Sequence, residues 1–470
     1  MTYQVPQHIS QDKIFIVKKS EIEGRLEPDF YKPSIASLEK KICSLSTKRL
    51  RSYALSFAGG ATPPKRESEK YYSDSEIGVP FLRVQNLQTT GELLLDGCIY
   101  INEDTHNGLL KRSQVSEGDL LVKITGVGRM AIASVAPKDF VGNTNQHMVV
   151  IKTGDSSTSK YLAHYLNLDI IEQIASRHST GGTRPALDYP SLKNIPIIEG
   201  LDFSIIDNAI KDKKAKEIEA QQLLDSIDDY LLKELGITMP KIQTDIDSRI
   251  FIVQKKDLKG RYTPSLYKDA VTLHSTIYEN VSLSHLAYIN PNTRFPNRNK
   301  EMPMSFVPME AVNEIYAEIT EHKDCFIEES KGFTRFQEGD LLWAKITPCM
   351  ENGKSAIAER LTNGYGCGST EFHVIRPKNE DLLIEYIHSL LHMKLVRQTA
   401  KLYFGGSAGQ QRVAVDFLED FNVPLPSREK QKEIVDRIVC IRTRAKSLQK
   451  EGKMILNDAK RKVERMIIGH

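Results

Sequence analysis

Three short stretches of the sequence present side chains that fork. FLRVQNL carries Arg83, Gln85 and Asn86; GNTNQH carries Asn143, Asn145 and Gln146; Gln410, Gln411 and Arg412 stand side by side. Arginine matches the O6 and N7 acceptors of guanine, and Asn or Gln matches the N6/N7 edge of adenine, so these residue types suit base reading in a DNA groove. Lys123, Arg129, Lys345 and Lys354 lie near the same motifs and supply charge for phosphates. Each set also has a structural alternative. Gln85 and Asn86 suit strand-end hydrogen bonding, and Lys123 and Lys345 suit the flank of a buried GDLL turn. Arg184, in GGTRPALDYP, shares a motif position with Arg412. Either arginine can tie its segment to the nearby Asp188 or Asp416, or touch DNA.

Catalytic constellations are missing from the pattern. GVGRMAI at 126–132 has GxG without the third glycine, and neither GxxxxGK[ST] nor HExxH occurs. The [DNS]PP[YFW] run of adenine methylation is also absent. Pro28-Asp29 with Glu39 and Lys41 faintly resembles a metal-dependent nuclease pattern, but a duplicated copy of this region has Ser265 in place of Asp29. Asp29 is therefore read as a capping or turn residue. The six cysteines form no CxxC pair, which argues against a zinc site or disulfide framework and for reduced thiols in the cytoplasm. With 40% hydrophobic and 27% charged residues and no apolar run of membrane-spanning length, a soluble, non-catalytic, multidomain chain of 470 residues is expected. Its net charge of +3 is compatible with nucleic-acid binding without demanding it.

The chain repeats itself. IFIVKKSEIEGRLEPDFYK (14–32) and IFIVQKKDLKGRYTPSLYK (250–268) share 10 of 19 residues. GDLLVKIT (118–125) answers GDLLWAKIT (339–347) with one residue inserted, and TNQHMVVI (144–151) answers STEFHVIR (369–376). RPALDYPSLKNIPII (184–198) answers RVAVDFLEDFNVPLP (412–426), each preceded by a glycine pair, Gly181–Gly182 or Gly405–Gly406. The reading is two copies of one unit.

Within each unit, short β-branched runs broken by Gly, Pro and Asn predict strands. Helical runs follow at 159–176 and 380–400, then the glycine–arginine segment, a Pro strand and a long helix. The first long helix is expected over 201–243 with Gly236 as a stop, the second over 427–470 with an apolar stripe narrow enough for a helix–helix seam. Residues 201–236 carry net charge −4 and residues 427–470 carry +7, which favours pairing of the two helices.

With these motifs in hand, the chain resembles the specificity subunit of Type I restriction-modification systems. The resemblance rests on the ordered double set of motifs and on NVPLPSREKQKEIVDRI (422–438), with Gln431 at the family's usual glutamine. It implies an α/β (α+β) tandem repeat with two target-recognition domains, at 1–200 and 244–426, joined by two long antiparallel coiled-coil helices at 201–243 and 427–470. It also implies that each domain reads one half of a split DNA site. The helices would dock two adenine N6-methyltransferase subunits, with restriction and translocase subunits joining the complex. S-adenosylmethionine, ATP and magnesium would belong to those partners, with no cofactor in this chain. The first Pro strand, NIPIIEGLDFSIIDNAI, lacks the family's glutamine at the helix entry. A protein-binding scaffold built from two repeated domains is the alternative reading.

Overall fold

The computed structural model describes residues 10–238, 252–254, 264–268, 273–295, 301–406 and 410–469. Most of the second repeat copy at 250–268 lies outside these residues, as do 239–243 of the expected first helix. Contacts divide the chain into two units, Met1–Ala215 with Glu451–His470, and Lys216–Lys450. Both divisions fall inside long helices, Ser204–Glu234 and Arg428–Ile468.

In unit 1 an antiparallel sheet runs Ser56–Gly59, Met148–Lys152, Leu120–Lys123, Ala133–Val135. Its two central strands read as apolar runs because both faces are covered. Leu120, Val122, Val149 and Ile151 meet the helices Ser156–Leu166 and Asp169–Arg177. Leu121, Met148 and Val150 meet Leu82, Val115 and Phe140 of a second sheet. That second sheet has a parallel pair at its heart, Val79–Leu82 beside Val141–Thr144.

In unit 2 the antiparallel sheet is Ala287–Ile289, Phe372–Pro377, Leu341–Ala344, Ser355–Ile357. Leu341, Trp343 and Ile375 face the helix Ile384–His392, while Leu342 and Val374 face Val307 and Phe336. The second sheet again contains a parallel pair, Pro303–Val307 beside Tyr365–Gly368. The fold is mixed α and β, as expected. The helical run at 159–176 is broken at Asn167–Leu168 and that at 380–400 at Met393, so each is two short helices.

The long helices complete the cores. In unit 1, Leu456, Ala459, Val463 and Ile467 of the C-terminal helix pack with Ile206, Ala209 and Ile210. Glu464 accepts from the backbone N–H groups of Asp169 (2.5 Å) and Ile170 (3.2 Å), and Lys460 Nζ donates to Thr89 O at 2.8 Å. Burial lowers the Lys460 pKa to about 8. In unit 2, Ile227, Leu231 and Leu235 share a core with Ile434, Ile438 and Ile441. Ala220 packs there with Ala445 and Leu448. Lys430 pairs with Glu234 at 2.7 Å. Gln431 is 1% exposed, accepting from Leu383 N and donating to Asp381 O and Pro426 O. The first helix begins where Asp202 accepts from Ser204 N at 2.8 Å and stops before Gly236, whose φ of +59° ends it as anticipated.

Leu456 is 4% exposed, whereas the adjacent Asn457 faces solvent. Leu456→Ala is expected to lower unfolding free energy by about 2–5 kcal/mol, against about 0.5 kcal/mol or less for Asn457→Ala. Urea denaturation measures both, and equal small effects would contradict docking of this helix in unit 1.

Candidate nucleic-acid interface

Backbone hydrogen bonds gather the sequence-predicted residues of unit 1 along one edge. Asn145 N donates to Leu82 O (3.2 Å), Ile124 N to His147 O (2.9 Å), Leu187 N to Ile124 O (2.8 Å) and Gly126 N to Pro185 O (3.0 Å). These bonds join the end of the strand Val79–Leu82, the GNTNQH segment and the end of GDLLVKIT to the glycine–arginine segment. That segment turns back on itself, with Thr180 and Ala186 exchanging two bonds of 2.8 Å and Gly181 at φ +97°. The glycines thus serve this turn, and a short helix, Tyr189–Lys193, separates it from the strand Pro196–Ile197.

Unit 2 builds its edge from corresponding segments. Ser369 N donates to Val307 O (3.4 Å), Lys345 N to Glu371 O (2.9 Å), Val413 N to Lys345 O (2.8 Å) and Thr347 N to Gln411 O (2.9 Å). Phe404–Gly405 pairs with Arg412–Val413 in the matching turn.

Along these edges the predicted side chains divide into two classes. Gln85, Gln146, Arg184 and Gln410 are exposed, and Arg83, Lys345, Gln411 and Arg412 are half-buried. Arg184 makes no side-chain hydrogen bond or ion pair among the described residues, so the expected tie to Asp188 is not formed. Asp188 instead accepts from Ser191 N at 2.7 Å and caps the following helix. The Arg83 Nε is buried without a partner. Gln146 accepts from the Thr62 hydroxyl. Thr62 reaches it because a Cβ on Gly60 would lie 1.8 Å from Thr144 O, so only glycine lets this segment run so close. Lys65 and Arg66 follow in the same segment, exposed, and sequence reasoning passed over them.

Six of the predicted residues turn inward, correcting the sequence reading. Asn86, 1% exposed, accepts from Arg83 N at 2.7 Å and donates to Leu94 O at 2.8 Å. Asn143, fully buried, donates to Leu110 O at 2.9 Å and meets His106 Nδ1 at 2.5 Å. Asn145 accepts from His147 N at 3.1 Å. Lys123, 3% exposed, donates to Val127 O at 2.8 Å, and burial lowers its pKa. Arg129 pairs with Asp169 and donates to Asn167 O at 2.6 Å. Lys354 donates to Val312 O (2.8 Å) and Met309 O (3.2 Å) and lies 3.4 Å from Glu314. The physical reason is common to all six. Loops without a regular ladder still have backbone groups to satisfy, and carboxamides, lysines and arginines next to them do so.

Arg412 pairs with Glu371 rather than with Asp416. Its Nε and Nη2 each lie 2.8 Å from one carboxylate oxygen, and its Nη1 donates to Gln410 O at 2.9 Å. The guanidinium holds the Glu371 pKa below the usual carboxylate range. The hydrogen-bond register also separates Arg184 from Arg412. Arg412 lies opposite Ile346, whereas Ala186 lies opposite Thr125. Likewise Lys345 N bonds to the 369–376 segment as Ile124 N does to 144–151, so Lys345 corresponds to Ile124 and not to Lys123.

The nuclease pattern dissolves. Asp29 is exposed and sits 2.7 Å from Lys32, and Glu39 is held by Arg177 and by His178 Nε2 at 2.7 Å. Among the described residues no three His, Cys, Asp or Glu side chains are grouped to hold a metal. No helix there is long and apolar enough to cross a membrane.

Residues 278–447, all within unit 2, match the model of the Type I restriction modification DNA specificity domain. This segment thus carries the sequence pattern of a Type I restriction modification DNA specificity domain. It is 39% identical over 162 residues to the Escherichia coli Type I restriction enzyme EcoEI specificity subunit, covering 34% of this chain and 26% of that protein. With the Escherichia coli EcoAI specificity subunit it is 33% identical over 197 residues, 40% of this chain and 32% of that protein. The matched regions thus span about a quarter to a third of those relatives. A solved chain from a structural study of complex assembly and conformational transition of the type I R-M system is 15% identical, with TM-score 0.45 over 89% of this chain and 95% of that one.

The two classes of side chain separate experimentally. Asn86→Ala leaves buried backbone groups unpaired and is expected to cost about 1–3 kcal/mol in urea denaturation. Arg184→Ala is expected to leave stability within about 0.5 kcal/mol while reducing the salt slope of duplex binding by about 0.9. Reversed effects on stability and salt slope would contradict this division.

Proposed function

We propose that this chain is the sequence-specific, duplex-DNA-binding specificity subunit of a Type I restriction-modification complex. Each unit reads one half of a bipartite, asymmetric site. The units are the two copies of a tandem repeat, and the two long helices form an antiparallel coiled-coil pair whose length sets the gap between half-sites. The helices dock two adenine N6-methyltransferase subunits, and restriction and translocase subunits join them. The chain itself is non-catalytic and works in the cytoplasm. S-adenosylmethionine, ATP and magnesium act in the partner subunits.

One observation carries this reading. In each unit, segments distant in sequence meet at one edge, and the polar side chains left exposed there are of types that recognise bases and phosphates. The edge of unit 1 presents Gln85, Gln146 and Arg184, and that of unit 2 presents Gln410 and the Arg412–Glu371 pair. Helix pairing is supported by the apolar seam more than by charge. Across the helices Lys430 pairs with Glu234 at 2.7 Å, while Arg444 lies 3.9 Å from Glu219 with both side chains half exposed, a geometry worth little.

Co-expression with an adenine methyltransferase of the same system, followed by genome-wide mapping of N6-methyladenine, tests the proposal. The expected result is a bipartite motif with a constant gap that disappears when this chain is omitted. Methylation without such a motif, from a complex that assembles normally, would favour the scaffold reading.

A further inference from the structure

We propose that Glu371 and Arg412 of unit 2 form a single recognition element that reads one G·C base pair, and that the corresponding positions of unit 1, His147 and Ala186, do not. This inference rests on the DNA-reading role proposed above and names a determinant within it. Arginine carries five N–H donors, and three are used here, by the two Glu371 oxygens and by Gln410 O. One donor remains on Nη1 and one on Nη2, and with Gln410 O on the Nη1 hydrogen that lies beside Cδ they make an end-on fork of the shape that guanine O6 and N7 accept. Each Glu371 oxygen keeps a lone pair, and a carboxylate accepts from cytosine N4. In a G·C pair all of these groups face the major groove, so a guanidinium and a carboxylate held side by side complement both bases at once. The Arg412 side chain is 42% exposed and that of Glu371 21%, which leaves the pair accessible.

The fold does not require this pair. The backbone around it is already held by the Val413–Lys345 and Thr347–Gln411 bonds and by the pairing of Gly405 with Arg412. Unit 1 serves as an internal control. There Ile124 N bonds to His147 O where Lys345 N bonds to Glu371 O, and Ala186 faces Thr125 where Arg412 faces Ile346. The same backbone junction therefore closes with histidine and alanine in the two positions. A paired Arg and Glu on an exposed edge, dispensable to the local backbone, has preorganisation to offer a ligand: the guanidinium plane is set before DNA arrives.

The double substitution Glu371→His with Arg412→Ala installs the unit 1 residues in unit 2. The complex of chain and methyltransferase is assayed with wild-type and substituted subunit, on duplexes in which each G·C pair of the motif is changed in turn. The expected outcome is loss of about 5- to 150-fold discrimination at one G·C pair of one half-site. The other half-site, the gap and the thermal unfolding midpoint should be unchanged. Glu371→Gln should weaken the same position alone. Three outcomes overturn the inference: undiminished discrimination at every position, a loss spread over both half-sites, or a motif with no G·C pair in one half. If the wild-type complex shows no sequence preference, the DNA-reading proposal itself falls, a result distinguishable from the other three.

Discussion

The core of each unit depends on apolar surface supplied by the long helices. Unit 1 takes Leu456, Ala459, Val463 and Ile467 from the far end of the chain, and in unit 2 Ile227 and Leu231 of the first long helix, with Leu235 just past its end, meet Ile434, Ile438 and Ile441 of the second. Burying a Leu, Ile or Val side chain contributes roughly 1.5–3 kcal/mol, and net domain stability is of order 5–15 kcal/mol. Losing such a helix segment is therefore comparable with losing the fold. Polar anchors add direction to this apolar docking. Glu464 satisfies the first N–H groups of the helix Asp169–Arg177, and Gln431 ties the second long helix to Asp381 and Leu383.

The same economy of side chains shapes the interface. Residues that would be strong DNA ligands on chemistry alone are divided between holding loops and facing outward, and burial decides which. Asn143 and Lys123 are spent on carbonyls, while Gln85, Gln146 and Arg184 remain exposed. Arginines are also neutralised internally, Arg412 by Glu371 and Arg376 by Asp340, which fits the selective contact with DNA proposed above.

Much of the fold was legible. The β-branched runs broken by Gly, Pro and Asn announced strands, the seam in 427–470 announced a helix that packs along a narrow stripe, and Gly236 announced a stop; the double cover of Leu120–Lys123, next to what read as a buried GDLL turn, was not announced. Docking of the last helical turns into unit 1 was not legible, because a contact across more than two hundred residues leaves no local signal. The site was legible only by neighbourhood. Letter-by-letter alignment put Lys345 with Lys123 and Arg412 with Arg184, but β ladders are counted in hydrogen bonds, and Trp343–Ala344 shifts the count. Asn86 and Asn143 looked like base readers because a carboxamide that satisfies its own backbone has the same letter as one that faces a ligand. Glu371 was overlooked, although the lone acid in STEFHVIR beside a motif arginine is a signal for a buttressed pair.

The central claim is that shared helices place two DNA-reading units at a set distance. Matched insertions of four residues, one after Ala215 and one after Lys450, add about one turn, or ~6 Å, to both helices while leaving each unit's packing face in place. The methylated motif of the co-expressed complex is then mapped. The account predicts unchanged half-sites separated by a longer gap. An active complex that keeps the original gap would contradict it.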